Sequence, residues 1–175
     1  MASHKGFVYM RTLRPKTPVL YNDDEKFQIG GSKILRQSKD DQLTIAATGI
    51  TVFEAIKAAD ELKKEGIYVR VIDCYSINPI DKDILKKCLR DTKKKILITV
   101  EDHFMHGGLG DFAASIPGRN GQIEKMAVSK ISQSGTKDQL LDDAGIDAKH
   151  IIKRVKELLP DWISFSVESH QSLVS

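Results

Sequence analysis

The stretch KILITVEDHFMHGGLGD, residues 95–111, concentrates the residue types that could do chemistry. Glu101, Asp102, His103 and His106 supply oxygen and nitrogen ligands within six residues, as a divalent metal would require. The two histidines lack the i,i+4 spacing of an H-E-x-x-H helix, however, and no distant further ligand is evident. His103 could instead act as a general acid or base, although no nucleophile motif accompanies it. We favour a structural interpretation in which Asp102 and His103 bind backbone groups at a strand end, and we assign no catalytic or metal-binding role.

The glycines of this stretch do not match the known nucleotide-binding patterns. Gly107, Gly108 and Gly110 give G-G-x-G, whereas the dinucleotide fingerprint is G-x-G-x-x-G with an acidic residue at the end of the next strand. The first predicted turn from strand to helix, residues 47–51, contains a single glycine. The phosphate-binding pattern G-x-x-x-x-G-K-[ST] does not occur in the sequence. Dinucleotide binding and nucleoside triphosphate hydrolysis are therefore disfavoured.

Two arginines, Arg11 and Arg14, lie in the sequence RTLRP at the end of a predicted first strand. A guanidinium group can grip a phosphate or carboxylate at two points, and a strand end is a rigid place to hold it. Side chains at i and i+3 of a strand point to opposite faces, so at most one arginine should reach a given ligand. The sequence thus predicts one anion-binding arginine here.

The elements that must position these residues alternate regularly along the chain. Hydrophobic runs predict that residues 96–100 form a strand buried on both faces. Thr51 with Glu54, and Thr136 with Gln139, have the spacing of capping boxes, and Asp81 and Asp147 are suited to start two further helices. The other predicted elements are strands at 6–12, 32–37, 43–49, 68–75 and 123–128, and a helix at 109–116. Strands alternating with helices predict a mostly parallel sheet with helices on both faces, an α/β fold.

Composition narrows the class of protein. The chain has 175 residues, 41% of them hydrophobic, which suits one compact core. We expect no membrane span, because the longest apolar run is too short, and a cytoplasmic protein, because the first residues lack a signal-peptide core. The net charge is only +3, and the one strongly basic run, residues 93–95, is predicted to be a solvated turn. We therefore do not expect nucleic-acid binding. Cys74 and Cys88 are expected to be buried thiols.

Several motifs in order resemble the C-terminal part of transketolase, with the animal-type and transketolase-like proteins nearest. The resemblance runs from about residue 5 to residue 159 and rests on RTLRP, FQIG, IDCYSINPID, VEDHFMHGGLG and QSG. It implies a three-layer α/β/α domain with a five-stranded, mostly parallel sheet. It further implies that residues 1–31 are the last strand of a pyrimidine-binding domain plus a linker and that 32–159 are the C-terminal domain. Residues 160–175 lie beyond the resemblance and lack a sustained hydrophobic period, so we expect a disordered tail there.

The resemblance also implies an activity. In the complete enzyme of the pentose phosphate pathway, thiamine diphosphate and Mg²⁺ support transfer of a two-carbon ketol unit from a ketose phosphate to an aldose phosphate. The domains that bind this cofactor are not in the sequence, and Gly110-Asp111-Phe112 matches their G-D-G motif only superficially. We therefore expect the isolated chain to bind no cofactor and to be inactive. Arg14 matches the family arginine that binds the substrate phosphate, while Arg11 has no such match.

The implied roles of the chain are scaffold, contacts in a homodimer or with a complementary transketolase chain, and one arginine for sugar phosphates. The alternative is a non-catalytic interaction module, or a subunit of a split enzyme, that keeps the fold.

Overall fold

Short strands and amphipathic helices alternate through most of the chain. The computed structural model describes residues 4–13, 16–116 and 121–160. Within these residues the elements follow the order β1 (Lys33–Arg36), β2 (Thr44–Ala47), α1 (Thr51–Lys64), β3 (Arg70–Asp73), α2 (Lys82–Asp91), β4 (Ile96–Phe104), α3 (Leu109–Ala114), β5 (Gln122–Val128), α4 (Lys137–Asp143) and α5 (Ala148–Glu157). None of the described helices is long and apolar enough to cross a membrane.

The five strands form one sheet in the order β1-β3-β2-β4-β5. Strands β3, β2, β4 and β5 are parallel, and β1 pairs antiparallel with β3, so the predicted mostly parallel α/β fold is confirmed. Because the four parallel strands end on one side, Asp73, Ala47, Phe104 and Val128 mark a common border, called here the carboxyl edge. Open parallel sheets usually bind their ligands at this border.

The sheet is buried on both faces, which explains its nearly continuous hydrophobic strands. Successive residues of β4 point to opposite faces: Leu97 joins the hydrophobic cluster that contains residues of α2 and α3, whereas Ile98 joins the cluster of α1 and α5. Burying an aliphatic side chain of this size is worth roughly 1.5–3 kcal/mol, so each face contributes substantially to stability. Cys74 and Cys88 lie in the first of these clusters as free, buried thiols, as predicted.

One buried ion pair lies at the opposite end of the sheet from the carboxyl edge. Arg70 donates from Nε to Asp41 at 3.1 Å, and both side chains are less than 5% exposed. The carboxylate of Asp41 also accepts from the backbone N–H and the hydroxyl of Ser38. The pair ties the turn before β2 to the beginning of β3.

Most of the predicted local signals are present. Asp81 and Asp147 accept from the backbone N–H groups of Ile84 and His150 at the starts of α2 and α5. Thr136 and Gln139 form the expected capping box. The strand predicted at 96–100 is real and runs on to residue 104, because its pairing with β5 resumes beyond a register shift.

Two expectations about local structure are wrong. Thr51 and Glu54 form no capping box, since the buried Thr51 hydroxyl donates to the carbonyl of Val100 at 2.6 Å and Glu54 accepts from Lys57 and from the backbone of Ala148. Residues 6–12 form no strand, because β propensity alone does not make one without a partner strand, and no strand of the described residues pairs with them. Of the predicted tail, residues 161–175 lie outside the described residues.

Candidate functional site

Glu101 joins the end of the central strand to the following helix. Its side chain is 2% exposed and accepts hydrogen bonds from the backbone N–H groups of Leu109 at 2.7 Å and Gly110 at 2.8 Å. These N–H groups belong to the first turn of α3 and have no partner within the helix, so a carboxylate is well suited to them. Binding to backbone groups was predicted for the two residues that follow and not for Glu101. The signal that could have found it is an acidic residue at the end of a buried strand, shortly before a glycine-rich helix start.

Asp102 points to the other side of the strand and pairs with Arg11. The guanidinium donates from Nη2 to Oδ2 at 2.8 Å and from Nη1 to Oδ1 at 3.2 Å, and Nη1 also reaches the Asp102 carbonyl at 3.2 Å. Arg11 thus makes a two-point contact, and its partner is a carboxylate of the same chain. The expectation that Asp102 binds backbone groups is therefore corrected.

The two histidines of residues 95–111 do not form a metal-ligating group with other side chains of the described residues. His103 lies exposed, and its Nδ1 is 2.8 Å from the carbonyl oxygen of its neighbour Phe104, as the structural interpretation predicts. Within the described residues, the group of acidic, histidine or cysteine side chains with ligand atoms within 4.8 Å of one another consists of Asp142, Asp147 and His150. There Asp142 already accepts from a lysine and Asp147 caps a helix.

Asp111, in the partial G-D-G match, is also engaged by the protein itself. Its carboxylate accepts from Lys125 Nζ at 2.5 Å and from the backbone N–H of Gly107 at 2.7 Å. These donors hold the pKa of Asp111 below its usual range. A diphosphate cradle needs free backbone N–H groups, and a magnesium site needs free carboxylate oxygens. Both carboxylate oxygens of Asp111 are already engaged by donors of the protein, so the partial G-D-G match does not provide the free oxygens of a magnesium site.

The chain before β1 crosses the carboxyl edge; residues 4–13 and 16–31 are called here the N-terminal segment. Tyr9 and Arg11 lie beside the ends of β4 and β5, in an open groove of about 390 Å³. Leu13 packs against the hydrophobic cluster of α1 and α5. Further along, the hydroxyl of Tyr21 donates to Asp73 at the end of β3 at 2.7 Å. The border where parallel sheets usually bind ligands is thus contacted by the protein's own chain.

Aromatic rings hold the second half of this segment in place. Phe27 makes edge-to-face contacts with Tyr21 and Tyr75, with ring centroids 5.0 and 4.9 Å apart. The ammonium group of Lys33 lies 5.1 Å from the centre of the Phe27 ring and pairs with Glu25. The stretch that the resemblance implies to be a linker is therefore packed onto the ends of β3 and β1.

Burial alters the ionisation of the contact between Tyr21 and Asp73. Desolvation raises the pKa of the Asp73 carboxyl, although the Tyr21 hydroxyl and Lys33 oppose the change. Desolvation, together with the hydrogen bond to Asp73, raises the pKa of Tyr21 well above its ordinary value. The hydroxyl therefore stays protonated and available as a donor at neutral pH.

The groove beside Tyr9 is lined by apolar, polar and charged side chains, and its arginine and lysine are each paired with a carboxylate. Arg11 is paired with Asp102, and Lys130 contacts Asp143 at 2.6 Å. Arg14, the predicted phosphate-binding residue, lies outside the described residues, so its assignment stays a prediction.

The architecture places the chain among three-layer α/β domains with a mixed five-stranded sheet. The family model of the transketolase C-terminal domain matches residues 32–151, and the chain belongs to this family.

Individual relatives agree with this family. Over 160 residues the chain is 43% identical to transketolase-like protein 1 of Macaca fascicularis, covering 90% of this chain and 27% of that protein. It is also 43% identical over 160 residues to the transketolase of Rattus norvegicus, covering 90% of this chain and 26% of that one. The chain thus spans about a quarter of the length of these curated relatives.

Solved structures show the same fold. One, described as "Split gene transketolase, inactive beta4 tetramer", matches with a TM-score of 0.74 and 31% identity over 84% of this chain and 47% of that one. A transketolase from Campylobacter jejuni shares the fold with a TM-score of 0.57, at 17% identity over 81% of this chain and 20% of that one.

Proposed function

We propose that this chain is the C-terminal part of a thiamine diphosphate-dependent transketolase, which transfers a two-carbon ketol unit from a ketose phosphate to an aldose phosphate. The observation that carries the proposal is the family match over residues 32–151, with the T-L-R-P sequence of the sugar-phosphate arginine upstream of it. Residues 1–31 would then continue from a pyrimidine-binding domain, and 32–159 would form the C-terminal domain. A cytoplasmic location is proposed with it, in keeping with the free thiols of Cys74 and Cys88.

The contribution of this chain is a scaffold, contacts to another chain and the substrate-phosphate arginine Arg14. The cofactor would supply the electron sink for the carbanion, and domains outside this chain would hold it with Mg²⁺. On its own, the chain is expected to be inactive. A structural relative is described as "Split gene transketolase, inactive beta4 tetramer", and this description supports assembly with another chain. We propose that this other chain is a complementary transketolase chain or the second copy in a homodimer.

Reconstitution tests the proposal directly. The purified chain is assayed for ketol transfer with thiamine diphosphate and Mg²⁺, first alone and then mixed with a chain that carries the two cofactor-binding domains. We expect activity only in the mixture. Appreciable ketol transfer by the 175-residue chain alone would contradict the proposal that domains outside this chain bind the cofactor.

Substitution of Arg14 tests its role in the active assembly. Because a hydrogen bond to a charged group is worth about 1.5–3 kcal/mol, Arg14→Ala should lower kcat/KM for phosphorylated sugars by about 10- to 150-fold. Arg36→Ala removes an arginine from the far side of β1 and should leave this constant unchanged. An unchanged kcat/KM in Arg14→Ala would refute the assignment.

The second candidate is a non-catalytic interaction module. It is favoured by the large hydrophobic side chains that the N-terminal segment leaves exposed, among them Phe7, Tyr9 and Met10. Such a module would co-purify with a full-length enzyme without being needed for its activity. A complementary chain that is fully active without this one would favour the module over the split enzyme.

A further inference from the structure

We propose that a group of basic side chains on the outer face of α2 and in the turn after it binds the surface of anionic lipid membranes. The group, called here the basic cluster, consists of Lys82, Lys86, Lys87 and Arg90 in the helix and the three lysines at residues 93–95. It goes beyond the proposed function, because none of these residues is assigned to ketol transfer.

The positive charge of the chain is concentrated in this stretch. Residues 82–95 contain seven lysine or arginine residues and two aspartates, which gives a net charge of +5. The whole chain carries only +3, so all other residues together carry −2. The field of such an asymmetric charge distribution turns the basic side of a protein toward a negatively charged surface.

Helix geometry brings the side chains of the cluster to one exposed face. Lys82, Lys86 and Arg90 are exposed and four residues apart, so they follow one another along α2 at intervals of about 6 Å. The other face of the helix packs on the sheet with its buried residues Leu85, Cys88 and Leu89. The charged face of α2 is therefore turned away from the sheet.

The turn after α2 extends the cluster, and its three lysines are exposed. The backbone N–H groups of Lys93 and Lys94 donate to the carbonyls of Asp41 and Gln42 at 3.1 and 2.8 Å, which fixes the turn to the residues just before β2. The basic cluster thus runs along α2 and finishes at the end of the sheet opposite to the carboxyl edge. It is held in place by the fold and needs no rearrangement to meet a partner.

Several of these charges are not neutralised by the chain. Among the described residues, no carboxylate lies within 4.0 Å of the ammonium groups of Lys82, Lys86 or Lys95. Like charges four residues apart destabilise a helix, and Lys82 also lies at the positive end of the helix dipole. The arrangement is therefore unfavourable for α2 itself, and a negatively charged partner would relieve it.

The composition of the cluster favours a lipid surface over a nucleic acid. Six of its seven cations are lysines, which lack the planar fork of arginine, and residues 82–95 contain no aromatic side chain for stacking on bases. Single-stranded nucleic acids are usually bound in positively charged grooves, whereas this cluster lies on the outside of a helix. A bilayer surface can contact such a row of lysines at once, and groups of about four to eight basic residues beside a membrane are typical of binding to anionic lipids.

Binding should be electrostatic and reversible, without insertion into the bilayer. The exposed large hydrophobic side chains of the chain lie outside residues 82–95, so α2 offers no apolar group to the interior of a membrane. The interaction should therefore depend on the negative charge of the lipids and on the salt concentration.

Vesicle sedimentation tests the proposal with the full 175-residue chain. The chain is mixed with vesicles of phosphatidylcholine alone or of phosphatidylcholine with phosphatidylserine. The salt concentration is about 0.1 M or about 1 M, between which the screening length falls from about 10 Å to about 3 Å. We expect binding only to the vesicles with phosphatidylserine and only at low salt. Equal binding to both kinds of vesicle, or binding to neither, would overturn the proposal.

A triple variant, Lys82→Gln/Lys86→Gln/Arg90→Gln, tests the location of the site. A lysine or arginine near an anionic bilayer strengthens binding about fivefold, which corresponds to about 1 kcal/mol, so the partition coefficient should fall about 100-fold. Lys86→Gln alone should lower it about fivefold. Because like charges are removed, the urea midpoint of the triple variant should not fall, and a loss of binding then reports the surface and not the fold.

The matched control is Lys63→Gln/Lys64→Gln/Lys153→Gln. It removes the same charge from exposed positions of α1 and α5, which pack on the other face of the sheet. We expect its partition coefficient to change by less than about threefold, as its lysines lie more than a screening length from a membrane at α2. An equal loss in both triple variants would overturn the site, since net charge alone would then explain the binding.

A DNA duplex serves as the competitor that separates lipid from nucleic acid. It is added to the chain and the vesicles with phosphatidylserine at an equal concentration of phosphate groups. We expect the chain to stay on the vesicles. Its displacement by the duplex would overturn the proposal and identify nucleic acid as the preferred ligand of the basic cluster.

Discussion

Gly108 lies so close to the carboxylate of Glu101 that a Cβ atom at this position would overlap it. The carboxylate cannot move away easily, because the first two N–H groups of α3 donate to it. Glycine is required here for close approach and not for an unusual backbone angle. The end of β4 and the start of α3 are therefore fitted to each other through one buried charge.

Replacing Glu101 should destabilise the fold, since it is the acceptor for two backbone groups at a buried helix start. Glu101→Gln keeps the size but loses the charge and one acceptor, so the free energy of unfolding should fall by about 1.5–3 kcal/mol. Urea denaturation measures it. Glu61→Gln, on the exposed face of α1, should change stability by less than about 0.5 kcal/mol. Equal effects of the two substitutions would contradict the capping role of Glu101.

Filling the space at Gly108 should be costly in a way that depends on Glu101. Gly108→Ala should lower the free energy of unfolding by about 1–3 kcal/mol through overpacking. In a Glu101→Ala background the overlap disappears, so the same substitution should cost markedly less. Denaturant midpoints of the four proteins in this cycle give the coupling energy. Additive effects would show that the contact between the two residues does not limit the packing.

Asp41 and Asp40 are neighbours in sequence but should respond very differently to the same change. Asp41→Asn leaves the buried guanidinium of Arg70 without its ionic partner, and breaking such a pair costs about 3–5 kcal/mol. Asp40 makes an exposed contact with Lys93, so Asp40→Asn should cost less than about 1 kcal/mol. Thermal and urea unfolding compare the two variants. Similar stabilities would mean that the buried pair is not maintained in solution.

The pair of Asp60 and Arg36 should make stability depend on pH in the acid range. Hydrogen bonds from Arg36 hold the pKa of Asp60 below its usual range. The contribution of the pair is therefore complete above the unfolded pKa, about 3.9, and is lost as the pH falls through the lower folded value. The stability difference between the unmodified chain and Asp60→Asn should be present at pH 7 and vanish in strong acid. Urea midpoints across this range test it; a difference that grows on acidification would contradict it.

Arg36→Gln removes the other half of the same pair and serves as the control for this pH dependence. It should reproduce the acid profile of Asp60→Asn, and the double variant should add little to either single change.

The sequence was informative where structure is decided locally. The caps at Asp81 and Asp147 depend on residues three positions apart, and the alternation of strands and helices follows from hydrophobic period, so both could be predicted. The contact of Arg11 with Asp102 spans 91 positions and follows no periodic pattern. It depends on how far β4 continues, and the strand was predicted to end before Glu101.

The burial of charged side chains could not be predicted, for a different reason. Charged residues are normally exposed, so the sequence does not indicate that Asp41 is buried. Its burial with Arg70 is fixed only when β2 and β3 come together. Thr51 was also assigned the wrong partner. Its spacing to Glu54 fits a helix cap, but its hydroxyl donates to the carbonyl of Val100 in β4. Local patterns thus predict local partners and miss those that tertiary packing supplies.

The N-terminal segment crosses the carboxyl edge, and this affects where the independently folding part of the chain begins. The family match starts at residue 32 and stops at residue 151, within the first half of α5. A chain trimmed to those limits would lose Leu13 and Tyr21 at one end and the fully buried Val155 and Leu159 at the other. The smallest piece that can be expected to fold independently is therefore longer at both ends than the stretch by which the family is recognised.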